Sequence, residues 1–135
     1  MKTIIKIVLI VIALNFISCE KLIPDRLYSI WTVNNSNYIV YRENSVLHPD
    51  TSLIGNYNDV NLINPGERLS IDSFDPWEDR FSEVFKNDTL IVFFINVDTI
   101  AKYGWESTKR DYRIIERREY SKQDLAKQNW MIYFP

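Results

Sequence analysis

Five carboxylates fall close together in the chain: Asp72, Asp75, Glu78, Asp79 and Glu83. Two such groups held about 5–10 Å apart are the equipment of a glycosidase. Several carboxylate oxygens around one point are what calcium requires. The same residues also have a purely structural account. "DPWEDRFSEVFK" reads as an amphipathic helix, with Asp75 as N-cap, Pro76 as first helical residue and Glu78 as capping-box partner. Glu78 and Asp79 then sit in the first turn, where negative charge meets the helix dipole favourably, and Glu83 faces solvent near Lys86. No EF-hand spacing is present. A hydrolase built on the carboxylates of 72–83 is therefore the weaker account.

His48 is the one histidine, and it sits in a turn, "LHPD". No nucleophile-elbow pattern surrounds Ser45 or Ser52, so a Ser-His-Asp arrangement has no framework. A single Cys and a single His exclude a Cys/His zinc site within one chain, and a disulfide framework as well. The expectation is a chain with no catalytic residue, no metal and no cofactor.

Aromatic residues offer a different chemistry. An exposed aromatic patch on an exported domain would bind sugars or peptides. Trp77 and Trp130 fall on expected core faces. Trp105, beside Gly104 in an expected loop and next but one to Tyr103, is the best ligand-binding candidate, with Tyr103 at its side. "DTL" (88–90) and "DTI" (98–100) resemble the Asp-Thr-aliphatic sites that Bacteroidota-type bacteria O-glycosylate in exported proteins. That makes Thr89 and Thr99 candidate modification sites, although both also suit a strand start or a helix cap.

The lone cysteine, Cys19, ends an apolar run. "MKTIIKIVLIVIALNFISC" has Lys2 and Lys6 in front, a short apolar centre, and the small residue Ser18 before the break. This is the layout of a signal peptide. A spanning helix needs roughly 20 apolar residues, and Glu20, Lys21 and Asp25 cut the run short. Phe16-Ile17-Ser18-Cys19 resembles a bacterial lipobox, although Leu is usual where Phe16 stands. The resemblance implies cleavage after Ser18 and a Cys19 carrying diacylglycerol and an N-acyl chain such as palmitate. Each buried lipid CH₂ contributes about 0.8 kcal/mol, so two or three chains anchor firmly where one does not.

These features divide the chain into a signal peptide (1–18), an acylated Cys and tether (19–27), and one domain (28–135). The whole chain has a formal net charge of −2, which argues against a nucleic-acid partner, since such binding needs a basic surface. "KRDYRIIERRE" mixes both signs and reads as a solvated strand edge rather than a basic groove. "YSIWTV" (28–33) and "YIVYRE" (38–43) around the turn cluster "NNSN" read as a hairpin. "RLSIDSF" (68–74), "YRIIERREY" (112–120) and "WMIYFP" (130–135) read as further strands. "TLIVFFINV" (89–97) is a continuous apolar run, the mark of a central strand covered on both faces. Helices are expected at 75–86, at "SKQDLAKQNW" with Ser121 as cap, and over one or two turns at 98–104. The fold class is mainly β (α+β): an antiparallel sandwich or open sheet of about six strands, with one to three short helices.

The C-terminal stretch "VDTIAKYGW…YRIIERREYSKQDLAKQNWMIYFP" resembles a group of small lipoproteins of Bacteroidota-type bacteria. Asp98, Thr99, Trp105, Tyr120, Asp124, Leu125, Asn129, Trp130, Ile132, Phe134 and Pro135 carry the likeness. Ser121 and Phe134 depart from the pattern. The group has no established activity. The resemblance implies export and lipidation, with the outer membrane as expected location, the membrane as partner through the lipid, and an unidentified protein or glycan as ligand.

Overall fold

The computed structural model describes residues 27–50 and 52–135. The signal-peptide and lipidation readings, Cys19 included, lie outside the described residues. Among the described residues, seven strands and four α-helices follow one another as β1 (Tyr28–Asn34), β2 (Val40–Ser45), β3 (Leu62–Ile63), β4 (Arg68–Ser73), α1 (Trp77–Val84), β5 (Thr89–Asn96), α2 (Val97–Tyr103), α3 (Trp105–Arg110), β6 (Glu116–Ser121), α4 (Lys122–Lys127) and β7 (Met131–Phe134). The strands form a three-stranded sheet, β4-β1-β7, and a four-stranded sheet, β3-β2-β5-β6. Every pairing is antiparallel except β1 with β7.

The apolar run of β5 lies inside its sheet and serves two cores. Leu90, Val92 and Phe94 meet Ile30 of β1, Ile132 and Phe134 of β7, and Trp77, Phe81 and Phe85 from α1 and the residue after it. Ile91, Phe93 and Ile95 meet Tyr41, Leu53 and Ile100, flanked by Trp105. Alternation along the strand produces this split, because successive side chains point to opposite faces. Phe94 stacks on Phe134 across the two sheets, with ring centroids 4.5 Å apart. The result is a two-sheet sandwich whose larger sheet carries a third layer of loop and helix. β6 lies at a sheet edge, as its charges require. Arg118 of β6 reaches the other sheet and donates to the Tyr133 carbonyl at 2.6 Å. Its guanidinium is held well above the usual range, chiefly by the hydrogen bond to Glu116.

Three local expectations are corrected. β1 and β2 do not form a hairpin; they lie in different sheets, and the 34–37 turn carries the chain between them. Ile30, Thr32 and Asn34 of β1 and Val40 and Arg42 of β2 all turn inward and are buried. Burying both sets is satisfied by facing strands across a sandwich. Asn34 fixes the crossing: its Nδ2 donates to the carbonyls of Tyr38 and Ile63, and its Oδ1 accepts from Ser36 N–H and Oγ. Second, α1 begins at Trp77 with Pro76 at the cap and no side-chain capping bond. Asp75 pairs with Arg80 instead, at 3.3 Å. Third, the expected 112–120 strand is shortened: Tyr112 (φ 51°) lies in the turn that follows α3, and the strand starts at Glu116. The Ser121 cap is present, with Asp124 completing a capping box.

Candidate functional site

The carboxylates of 72–83 are spread, not convergent. Asp72 accepts from Ser29 and Ser70 hydroxyls. Asp75 and Glu83 flank Arg80, largely exposed. Glu78 turns the other way and accepts from the Trp130 indole N–H at 3.2 Å. His48 is half-buried, 3.5 Å from Glu119 and 3.3 Å from the Asn87 amide. Ser45 donates to Asp50, at 2.8 Å. Burial alone would raise the Asp50 carboxyl, but the Ser52 amide, two hydroxyls and Arg117 together hold it below its usual value.

Trp105 belongs to the third layer, and its polar atom is already engaged. Its indole N–H donates to the Gly55 carbonyl at 3.0 Å. Its ring lies 5.1 Å from Tyr41 and 6.0 Å from Tyr57. Gly55 donates its own N–H to Glu43 Oε1 at 2.8 Å, so the indole and the carboxylate clamp the same residue from two sides. A Cβ at Gly55 would come within 2.8 Å of that oxygen, so any side chain here would push the carboxylate aside. Tyr103 is exposed, with Arg113 and Lys102 over its ring. The hydrogen bond with Lys102 is the main reason its phenol sits below the usual value. Thr89 opens β5 and donates to the Asn87 carbonyl at 2.9 Å. Thr99 lies in the first turn of α2, which Asn96 caps in place of the expected Asp98. Both threonines are half-buried.

The other three tryptophans come together, and spacing in the sequence gave no hint of it. β4 pairs with β1 from Tyr28 onward, whereas β7 joins its other side only at Trp31. The first contact of that parallel pair is Trp31 N–H to the Trp130 carbonyl, 2.9 Å. Upstream of it the chain turns away through Asn129 (φ 52°) and Trp130 (φ 60°). Trp130 N–H is tied back to Leu125 of α4 at 2.7 Å. Consecutive left-handed residues without glycine are uncommon, and for a bulky one such as Trp130 the conformation is an outlier. The late start of β7 leaves a cleft of about 470 Å³ beside the first residues of β1. Trp31 and Tyr28 line it from β1, Trp77 and Glu78 from the start of α1, and Trp130 and Asn129 from the turn; Leu27 and Ser29 complete it. The volume lies within the roughly 300–1,000 Å³ of small-molecule sites.

Polar groups in the cleft are few and placed. Glu78 holds the Trp130 ring through its N–H. Trp77 is buried, stacked on Phe85 with centroids 5.6 Å apart. Its indole N–H has no hydrogen-bond partner among the described residues. Such an orphaned donor asks for an explanation, because leaving one unmade costs about 1–3 kcal/mol. Among the described residues, no Lys, Arg or His lines the cleft. Arg68 stacks on Trp31 at 4.3 Å and so takes one of that ring's two faces.

No protein-family model, no curated protein and no solved structure matches the chain.

Proposed function

We propose that this chain is a lipid-anchored protein of the bacterial cell envelope whose globular domain is a non-catalytic binding module. The observation that supports the binding role is the cleft between β1, α1 and the Asn129–Trp130 turn, which is lined by tryptophans from three separate elements. The carboxylates, by contrast, are placed apart and mostly partnered by cations or hydroxyls. The anchoring role is supported by the lipobox-like "FISC" and by the likeness of the C-terminal half to small lipoproteins of Bacteroidota-type bacteria. The two roles are compatible in space. Leu27 lines the cleft and lies eight residues from Cys19, and eight residues reach at most about 28 Å. A ligand in the cleft would then lie close to the membrane surface. The alternative aromatic group around Trp105 is less suited to the task, because the Trp105 ring is packed against Tyr41 and Tyr57.

The test is expression of the full chain in a bacterial host beside Cys19→Ala. Wild type is expected to lose residues 1–18, gain the mass of two or three acyl chains and fractionate with membranes, and the mutant to gain no lipid. A wild-type chain without lipid mass would remove the anchor. Mass beyond peptide plus lipid would report O-glycosylation, with Thr89 and Thr99 as the sites to check.

A further inference from the structure

We infer that the Trp31–Trp77–Trp130 cleft binds an uncharged sugar unit of a glycan; this rests on the binding-module reading above. A pyranose ring has apolar C–H faces and a rim of hydroxyls that both donate and accept. The cleft has the matching division. Indole rings supply flat apolar walls, and among its lining Asn129, Ser29 and Glu78 supply donors and acceptors. Charge narrows the class. With Glu78 present and no cation among the described lining residues, a phosphate or a uronate would meet a like charge without a lining cation to pair it. The Lys122 ammonium is bound to the backbone carbonyl of Glu78 at 3.1 Å.

An extended peptide is less well served. Along a strand, alternate residues direct their backbone groups to the same neighbour. Trp31 bonds toward the β7 side, so between Tyr28 and Ile30 only Ser29 directs its N–H and C=O there. One residue makes no ladder for a peptide strand. The left-handed pair Asn129 and Trp130 points the same way, since strained backbone persists where the surroundings enforce it and collects at ligand sites.

The experiment titrates the full acylated chain, in a detergent without a sugar headgroup, and follows tryptophan emission. The probes are neutral oligomers of glucose and of N-acetylglucosamine, a polyuronate of equal length, and a proline-rich peptide. At least one neutral oligomer is expected to shift the emission saturably. Trp31→Ala should weaken it ten-fold or more, while Tyr112→Ala, on the far layer against Phe93, should leave it unchanged. Circular dichroism of each variant checks that the fold persists. Equal binding of the polyuronate, or neutral binding indifferent to Trp31→Ala, overturns the assignment. A Trp31-dependent response to the peptide alone would overturn the sugar and keep the binding module. Silence toward every probe would remove both.

Discussion

Two adjacent residues of β2, Arg42 and Glu43, carry buried charge to opposite sides of one sheet. Arg42 points between the sheets. It donates through Nη1 to Thr32 Oγ1 at 3.0 Å and the Leu69 carbonyl at 2.9 Å, and through Nη2 to the Ser70 carbonyl at 3.1 Å. Burial pushes its pKa down to about 10, against the pull of Asp72. The guanidinium thus stitches β2 to β1 and β4. Arg42→Ala is expected to cost at least about 2 kcal/mol in urea unfolding, because it strands three acceptors that a charged donor served. Arg42→Lys should recover only part of this, since one ammonium lacks the fork geometry. Glu43 faces the third layer. Burial raises its carboxyl above the usual 4.5, opposed by the Gly55 and Ile54 amides and by Lys109. The folded state therefore binds the proton more tightly than the unfolded one. Stability falls as pH rises from the unfolded value through the folded one, and the penalty is complete above it. Glu43→Gln keeps an acceptor for the Gly55 N–H and removes the charge. Its Tm should exceed that of wild type at pH 7, with the gap closing as pH falls through the raised folded value toward 4.5. A gap independent of pH would mean that the charge is not the cause.

Elements differ in how openly they were written in the sequence. β5 was legible because a long apolar run has one economical placement, inside a sheet and covered on both faces. The Ser121–Asp124 cap was legible because its chemistry is local. The β1–β2 relationship was not. Strand propensity and a turn cluster say that two strands are adjacent in sequence, and leave open whether they share a sheet. The choice was made by inward-facing side chains far apart in the chain, Ile30 and Ile132 against Val40 and Phe94. α3 was missed because "WESTKR" has no apolar periodicity; its anchors are Trp105 on Gly55 and Thr108, whose hydroxyl donates to the Gly104 carbonyl at 2.8 Å. The cleft was illegible for the same reason as the hairpin error. Trp31, Trp77 and Trp130 meet only because β7 pairs in parallel with β1 and starts late. Gly104 is the hinge between α2 and α3, and its φ of +78° is one that L side chains rarely adopt. Nothing lies within 4 Å of the Cβ it lacks, so Gly104→Ala tests backbone strain without a clash. A loss of about 1–3 kcal/mol is expected, read as a lower urea midpoint at unchanged slope. A neutral substitution would mean that the helix pair adjusts its corner freely.

At the scale of the whole molecule, one strand belongs to both cores. Phe93 and Phe94 are neighbours on β5, both fully buried, one in each layer. A layer that lost its packing would expose half of β5 and remove the platform on which the other is built, so the layers are expected to unfold together. Phe93→Ala and Phe94→Ala should each cost about 3–5 kcal/mol, a large share of the 5–15 kcal/mol typical of a domain. Each should move a single transition rather than split it. Tryptophan emission and far-ultraviolet circular dichroism report different parts of the fold: Trp31, Trp77 and Trp130 line the cleft and Trp105 lies in the third layer, while the backbone signal averages all strands. Coincident urea midpoints for wild type and both variants would establish one cooperative unit. A Phe93→Ala chain whose emission changes at lower urea than its backbone signal would instead make the loop-and-helix layer a separable cover. The cleft would then stand on the two-sheet sandwich alone, and Glu43, Gly55 and Trp105 would matter only to the cover.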